Sequence, residues 1–241
     1  MKWRGSILLS IVLLTGGMLM IVYINKTVPE KLQRESTIIL SNQISEDKRK
    51  NVKEIIHDTQ KLVVMIETEN SLGSGFLYNK KGDIITNAHV VTGSSKVKIK
   101  MANYKQLEGM VIGISKEIDV AVIRVKGLTG KEPLPLSKRD AEVGDEVLAL
   151  GSPLGLQNSV TSGMISGVNR DLEIPPFSYK NTYQISAPIA PGNSGGPLIR
   201  KDTGEVIGIN SALSEEGQIG FSLPITQILP LVENWSKHPK I

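Results

Sequence analysis

The 241-residue sequence contains no cysteine. The chain therefore cannot form a disulfide, a cysteine-ligated zinc site or a thiol nucleophile. Aromatic residues are also scarce, at 4% of the chain, so a core must consist mainly of Val, Ile and Leu. Hydrophobic residues make up 40% and charged residues 22%, the balance of an ordinary globular protein. We therefore expect a folded domain held together by aliphatic packing.

Most of the chain also lacks concentrated positive charge. The net charge is +4, of which residues 1–60 carry +3 and the remaining 181 residues carry +1. No basic stripe interleaved with aromatic residues is present, which argues against nucleic-acid binding. The sequence has no cluster of metal ligands and no phosphate-binding glycine loop, so we expect neither a metal ion nor a cofactor.

The one long uncharged run is Ser6–Ile24, with 19 residues. As a helix it would be about 28 Å long, close to the hydrocarbon thickness of a bilayer. Lys2 and Arg4 precede it, so the positive-inside bias favours residues 1–5 in the cytoplasm. We expect an uncleaved transmembrane anchor with the rest of the chain outside the cytoplasm. The alternatives are a cleaved signal peptide, although no alanine precedes Ala88, and a buried core helix, although the run is apolar on every face.

Two kinds of segment flank the predicted domain, which covers residues 50–241. Residues 25–49 are polar and show little periodicity, as in a tether. A short helix is predicted over 45–60, with its first serine as the N-cap and two acidic residues in its first turn. A second helix is predicted over 225–235, where Pro230 limits the position of its start.

The domain itself is dominated by strand patterns. Short apolar runs alternate with turn residues about every 8–12 residues, which favours an antiparallel sandwich or barrel over a parallel sheet. The predicted turns include residues 79–82 and 202–204. The predicted strands cover 61–67, a hairpin over 73–87, 96–101, 106–114, 119–125, 146–151, 159–168, 182–188, 196–200, 205–213 and 218–224. The fold class is therefore all-β.

A serine between glycines is the strongest local signal for chemistry. Residues 191–197 read PGNSGGP, with Ser194 at the centre. A serine hydroxyl is a poor nucleophile without an adjacent base and a site for the oxyanion. Flanking glycines allow a sharp turn that directs backbone N–H groups at one point, and Gly192 and Ser194 are the candidate donors. A glycine-rich β-turn without function is the alternative for this motif alone.

The base and its partner would come from two earlier motifs. His89 ends the strand-like run TNAH, whereas His57 lies on the predicted N-terminal helix and His238 near the C-terminus. Asp119 lies between apolar residues in EIDVAV, where a carboxylate is costly to bury without a partner. A histidine would be such a partner, and the carboxylate would in turn fix its tautomer. Taken singly, His89 is more often a structural residue and Asp119 the start of a strand.

At these motifs the sequence resembles the trypsin-like HtrA/Deg serine proteases. TNAHVV, EIDVAVI and PGNSGGP match the family's three triad segments, and GSGF, GSPLGL, VIGINSAL and IGFSLP match its flanking segments. The resemblance covers roughly residues 50–230. It implies two perpendicular six-stranded antiparallel β-barrels with the active site in the cleft between them. It further implies that His89 is the general base, Asp119 its orienter and Ser194 the nucleophile, with Gly192 and Ser194 forming the oxyanion hole.

The resemblance also bears on substrate binding. It implies that Ser211, Ala212 and Leu213 form a strand edge that pairs with the substrate backbone. By the same resemblance Pro188 would stand at the base of the primary specificity pocket, six residues before Ser194. No acid is present there, so we expect no cleavage after Lys or Arg. The apolar neighbours Ile189 and Leu213 favour a small or medium aliphatic residue instead.

Several features depart from the family pattern. Only 17 residues follow Pro224, so we expect no PDZ domain. The hairpin over 77–85 is too short for the long regulatory insertion of some relatives. Residues 185–188 read ISAP where the family has a Thr-Asp-Ala stretch. Related proteases often form trimers, so a homotrimer is possible. A loop over 170–181, with Phe177 and Tyr179, is expected to border the cleft and to help order the oxyanion hole.

The motifs therefore predict a serine endopeptidase that acts through an acyl-enzyme outside the cytoplasm, and the resemblance implies that it cleaves damaged or misfolded polypeptides. Two alternatives stay open. One is a membrane-tethered binder that captures exposed strands without cutting them. The other is a signalling protease with one dedicated membrane substrate.

Overall fold

The computed structural model describes residues 51–103, 105–151, 159–174, 177–190, 192–213 and 219–240, together with Met20; for residues 212 and 213 it describes the backbone only. The predicted anchor, apart from Met20, and the predicted tether lie outside these residues. Within the described part, no helix combines the length and the apolar character needed to cross a bilayer.

The first six strands close into a barrel. They are β1 (Val63–Glu67), β2 (Leu72–Leu77), β3 (Asp83–Thr86), β4 (Lys96–Met101), β5 (Gln106–Ser115) and β6 (Val120–Arg124). Their order is β1-β2-β3-β6-β5-β4, and antiparallel pairing of β4 with β1 closes the sheet. A short helix, α2 (Ala88–Val91), follows β3 directly, so the first residues after this strand are held against the barrel.

The other six strands form a second closed barrel. They are β7 (Glu146–Gly151), β8 (Ser159–Ile174), β9 (Phe177–Ile185), β10 (Pro197–Arg200), β11 (Val206–Leu213) and β12 (Gly220–Pro224). Their order is β10-β11-β12-β9-β8-β7, closed by pairing of β10 with β7. The predicted all-β class and the pair of six-stranded barrels are confirmed.

Strand periodicity explains where the core lies. In β4, Val97, Ile99 and Met101 are buried while Lys96 and Lys98 are exposed, because alternate side chains point to opposite faces. One aliphatic cluster fills the first barrel and another fills the second. A third cluster, which includes Phe76, Ile85, Leu150 and Ile209, draws on both barrels and joins them. The residues between the barrels are thereby held in a fixed arrangement.

The N-terminal helix begins later than predicted. Helix α1 (Val52–Gln60) has Asn51 as its N-cap, whose side-chain oxygen accepts a hydrogen bond from the Lys53 N–H at 3.0 Å. The predicted start at Ser45 is therefore wrong for this helix, and Ser45 itself lies outside the described residues. Asn51 is itself a good capping residue, which the pattern of apolar residues alone did not reveal.

The C-terminal helix returns from the second barrel to the first. Helix α3 (Ile225–Lys237) runs through Pro230 and buries Trp235 against Gly113 of β5, where no side chain could fit beside the indole ring. The Tyr78 hydroxyl donates to the Val232 carbonyl at 3.0 Å. Ser236 donates to the buried carboxylate of Asp83 at 2.6 Å. These contacts tie the end of the domain to the barrel that carries α2.

Candidate active site

His89 and Asp119 lie against each other at one end of the first barrel. His89 is the second residue of α2, and Asp119 immediately precedes β6. The Nδ1 atom of His89 is 2.9 Å from Oδ2 and 3.1 Å from Oδ1 of Asp119. The backbone N–H of His89 also donates to Oδ1 at 3.0 Å. Because a carboxylate only accepts, Nδ1 carries the proton, and Nε2 of the neutral imidazole is left as an acceptor.

The carboxylate of Asp119 is completely buried but well supplied with donors. Besides His89, the hydroxyls of Tyr179 and Ser211 donate to Oδ2 at 2.8 Å and 3.0 Å. The side-chain amide of Asn87 donates to the Asp119 carbonyl at 2.8 Å and to the Ser211 hydroxyl oxygen at 3.1 Å. The backbone of Asp119 has a φ of 53°, a region that few non-glycine residues adopt. The surrounding hydrogen bonds hold it in this conformation.

Ser194 lies in a tight turn between β9 and β10. Its carbonyl accepts from the backbone N–H of Ser74 on β2 at 2.8 Å, and the next N–H, of Gly195, donates to the Asn210 carbonyl at 2.8 Å. Gly195 has a φ of 85°, and a side chain there would collide with the Ser74 carbonyl and the Thr86 hydroxyl. Glycine is therefore required at this position for the second barrel to approach the first.

The carbonyls of Gly192 and Asn193 both accept hydrogen bonds. The Gly192 carbonyl accepts from the Ser74 hydroxyl at 2.5 Å, and the Asn193 carbonyl accepts from the Gly196 N–H at 2.9 Å. Gly192 has a φ of 100°, which favours glycine. Within the described residues, no hydrogen bond involves the N–H of Gly192 or of Ser194. These two N–H groups are the predicted oxyanion donors.

The Ser194 hydroxyl donates to the carbonyl of Ser211 at 3.4 Å. Among the described residues, no hydrogen bond joins it to His89. Ser211 nevertheless links Ser194 to the His89–Asp119 pair, because its carbonyl accepts from Ser194 and its hydroxyl donates to Asp119. The His89 side chain is one-third exposed, at 33%, so its ring can be reached from solvent.

Residues of β9 cover the His89–Asp119 pair. The Phe177 ring lies 6.0 Å from the imidazole of His89 and 5.9 Å from the Tyr179 ring, measured between centroids. Burial, and next the negative charge of Asp119, raise the pKa of the Tyr179 hydroxyl. The segment predicted as a loop over 170–181 is instead largely strand, since Leu172 pairs with Tyr179 and Ile174 with Phe177. The expectation that it borders the site is consistent with these contacts.

Comparison with known proteins identifies the family. The family model described as a trypsin-like peptidase domain matches residues 73–209, more than half of the chain. This chain belongs to the trypsin-like peptidases. It is 35% identical over 185 residues to "Protease Do-like 1, chloroplastic" of Arabidopsis thaliana, covering 73% of this chain and 42% of that protein. It is 42% identical over 165 residues to "Probable periplasmic serine endoprotease DegP-like" of Halomonas elongata, covering 66% and 33%.

Solved structures agree with this assignment to the trypsin-like peptidases. "HtrA-type protease AlgW with tripeptide" is 30% identical with a TM-score of 0.70, covering 78% of this chain and 64% of that chain. The inactive form of the Rv3671c protease is 29% identical with a TM-score of 0.67, covering 75% of this chain and 91% of that chain. The domain is thus a trypsin-like serine peptidase domain that is similar to DegP-like and HtrA-type proteases. The chain spans less than half the length of the two curated relatives named above.

The predicted substrate-binding residues of this trypsin-like domain lie on one strand, β11, and in the segment that follows β9. Pro188 is exposed, and its carbonyl accepts from the Thr161 hydroxyl at 2.7 Å. Ile189 is buried in the core of the second barrel and packs against Gly220. Ser211, Ala212 and Leu213 end β11, which pairs with β12. The Ser211 side chain is turned to Asp119, and the expected pairing of the strand edge with a substrate backbone stays a prediction.

Three residues of the site were missed by the sequence reasoning. Asn87 and Ser74 stand inside the motifs TNAHVV and GSGF, but only the histidine of these motifs was given a role. Tyr179 was placed beside the cleft, but its bond to Asp119, 60 residues earlier, leaves no local pattern. In the described part of the chain, no group of three or more His, Asp or Glu side chains is placed to hold a metal ion.

Proposed function

We propose that this chain is a serine endopeptidase in which His89 is the general base, Asp119 its orienting acid and Ser194 the nucleophile. One observation carries the proposal: a fully buried carboxylate holds Nδ1 of a partly exposed histidine at 2.9 Å, in a trypsin-like serine peptidase domain. A carboxylate placed in this way fixes the tautomer of the imidazole and stabilises its protonated form.

The chemistry follows from this arrangement. The Ser194 hydroxyl attacks the substrate carbonyl while Nε2 of His89 takes its proton, giving a tetrahedral oxyanion. The N–H groups of Gly192 and Ser194 donate to that oxygen. Collapse of the intermediate breaks the peptide bond as His89 returns the proton to the leaving amine. Water then hydrolyses the acyl-serine ester with His89 again as base, which regenerates the hydroxyl.

Polypeptides are the proposed substrates. The end of β11 at Ser211–Leu213 would pair with the substrate backbone. Pro188 would form the base of the primary pocket, and no acid stands at that position to bind Lys or Arg. Cleavage after small or medium aliphatic residues is therefore expected. Profiling with a peptide library tests this preference, and dominant cleavage after Arg would contradict it.

The proposed setting is the outer face of a membrane. Residues 6–24 would anchor the chain, with the protease domain outside the cytoplasm. There it would degrade damaged or misfolded proteins, as a homotrimer. Support comes from the uncharged run itself and from the DegP-like relatives, which are named periplasmic. Protease protection of the membrane-bound chain in sealed vesicles tests the orientation.

The deciding experiment measures both labelling and turnover. Ser194 should react with a fluorophosphonate probe in the intact chain, and casein should be hydrolysed. Both signals should disappear in Ser194→Ala, whose fold is checked by circular dichroism. Casein hydrolysis that persists in Ser194→Ala would assign the nucleophile to another residue.

A second candidate is a tethered binder that captures exposed strands without cutting them. The observation that favours it is the Ser194 hydroxyl, which donates to the Ser211 carbonyl instead of to His89. Hydrogen bonds of catalytic groups are often incomplete before substrate binds, so the protease remains the main proposal. Unfolded casein bound without cleavage, and without fluorophosphonate labelling of Ser194, would favour the binder. A signalling protease with one membrane substrate would use the same site chemistry.

A further inference from the structure

A tyrosine hydroxyl reaches the buried carboxylate from the second barrel. Tyr179 lies on β9 and is almost completely buried. Its hydroxyl is 2.8 Å from Oδ2 of Asp119, the shortest of the contacts that the carboxylate makes. Since the carboxylate can only accept, the tyrosine is the donor.

This donor has no obvious substitute. The other hydroxyl on Oδ2, of Ser211, already accepts from Asn87 and has a single proton, which it donates to Asp119. The carboxylate is 0% exposed, so water does not reach it directly in this conformation. Loss of the Tyr179 hydroxyl would therefore leave Oδ2 with one contact fewer, and a buried charge is sensitive to such a loss.

The Tyr179 hydroxyl keeps its proton at neutral and mildly alkaline pH. Burial, followed by the charge of Asp119, raises the pKa of its hydroxyl above the ordinary value of 10.0. The proton therefore stays on the oxygen throughout the neutral and mildly alkaline range, and the hydrogen bond keeps its direction.

The strand that carries Tyr179 is itself held from the outside. Ser178 and Lys180, the neighbours of Tyr179 on β9, lie on the opposite face of the strand. The Ser178 hydroxyl and the Lys180 ammonium group both donate to the carboxylate of Glu173 on β8, at 2.6 Å and 3.0 Å. On the inner face, Phe177 contacts both the Tyr179 ring and the imidazole of His89. Thus β9 contacts both members of the His89–Asp119 pair.

We propose that Tyr179 is a positioning residue, whose hydroxyl holds Asp119 in the orientation that aligns His89 for proton transfer. The inference rests on the proposed protease function. It gives Asp119, a residue of the first barrel, a positioning contact from the second barrel in addition to that of Ser211. Tyr179 does not touch the substrate in this scheme and acts only through Asp119.

The test compares Tyr179→Phe with Tyr183→Phe in the full-length chain. Tyr183 is a matched control, since it is buried on the same strand and its hydroxyl also contacts an aspartate, Asp140, at 3.3 Å, away from the site. For Tyr179→Phe we expect kcat to fall about tenfold with KM within about twofold of wild type, as expected when an interaction acts mainly in the transition state. Tyr183→Phe should keep the wild-type kcat.

A spectroscopic readout separates positioning from general destabilisation. The Nδ1 proton of His89, hydrogen-bonded to a carboxylate, should give a far-downfield proton NMR resonance, assigned by its loss in His89→Ala. That resonance should shift in Tyr179→Phe and stay in place in Tyr183→Phe. A Tyr179→Phe variant with wild-type kcat and an unmoved resonance would overturn the proposal.

Two further outcomes are also decisive. If the wild-type chain proves inactive, the proposed function fails, and the resonance alone decides whether Tyr179 acts on the pair. If Tyr179→Phe does not fold, 3,5-difluorotyrosine at position 179 keeps the ring and makes the hydroxyl a stronger donor. The His89 resonance then moves if Tyr179 positions Asp119 and is unchanged if it does not.

Discussion

The hydroxyl of Ser74, on the first barrel, donates to the carbonyl of Gly192, in the serine loop of the second barrel, at 2.5 Å. The backbone N–H of the same residue donates to the Ser194 carbonyl at 2.8 Å. One residue of β2 therefore holds the carbonyls on both sides of Asn193. Among the described residues the N–H groups of Gly192 and Ser194 make no hydrogen bond, so they can donate to another acceptor.

We predict that Ser74→Ala lowers kcat about tenfold, because the Gly192 peptide loses its anchor and the oxyanion donors become less well ordered. The rate of fluorophosphonate labelling of Ser194 should fall in parallel. Ser222→Ala is the control, since Ser222 is equally buried and donates to a backbone carbonyl, of Ile209, at 2.8 Å. Equal losses in the two variants would mean that Ser74 acts only on stability.

Gly195 tests the close approach of the two barrels. In Gly195→Ala the new methyl group would collide with the backbone of β2 at Ser74 and with the Thr86 hydroxyl, at a φ of 85°. We expect loss of labelling and a large fall in the thermal midpoint. Gly93→Ala is the control, because Gly93 has a φ of 84° but no neighbouring atom within 4 Å. Its cost should be that of the strained backbone alone, roughly 1 kcal/mol. Similar midpoints for the two variants would argue against a steric requirement at Gly195.

Asp119→Asn should abolish most activity while leaving the fold intact. The amide can present N–H groups to Nδ1 of His89, which favours the wrong tautomer, and a fall in kcat on the order of 10⁴ is expected for such a change in a triad. Asp145→Asn is the control, since Asp145 also accepts a hydrogen bond from a basic side chain, that of Arg200, at 2.9 Å, but away from the site. Residual kcat within tenfold of wild type would remove Asp119 from the proposed mechanism.

The pH dependence of stability should depend on Asp83. Burial raises the pKa of this carboxyl, but the hydrogen bonds from Arg124, Asn79 and Ser236 outweigh burial, so the net pKa lies below the ordinary value of 3.8. A lowered folded pKa gives stability that is complete above the unfolded value and is lost as the pH falls through the folded value. The free energy of unfolding should therefore drop below about pH 4 in the wild type and drop less in Asp83→Asn.

Urea unfolding at a series of pH values measures this difference. Glu173→Gln is the control. The pKa of Glu173 is also lowered, by Ser178 and then by Lys180, but its side chain is 67% exposed, so solvent screens these contacts. The pH profile of Glu173→Gln should therefore follow the wild type. An Asp83→Asn profile with the wild-type slope below pH 4 would contradict the assignment.

Strands with a regular pattern could be predicted from the sequence. The alternation KVKIKM coincides with β4, in which every second side chain is buried. The apolar run EVLALG coincides with β7, in which all residues after Glu146 are buried. The last residues of β8 and the first residues of β9 were not predicted as strand. There, polar residues such as Lys180 and Glu173 extend the hairpin through contacts with each other, and a hydrophobic pattern carries no signal for such contacts.

The three motifs around His89, Asp119 and Ser194 were also legible in the sequence, since each combines a reactive side chain with small or apolar neighbours. Their environment was not. The Ser211 hydroxyl donates to a carboxylate 92 residues earlier in the chain, a contact that its own strand pattern does not indicate.

The sequence by itself determined the all-β class, the short turns and the residues available for chemistry, because strand alternation, glycine and reactive side chains act locally. Only the tertiary structure decided which groups surround those residues. Closure of two barrels against one shared cluster brings the hydroxyls of Ser74 and Tyr179 to partners 118 and 60 residues away. Such pairings depend on strand register and on packing between barrels, and no run of neighbouring residues encodes them.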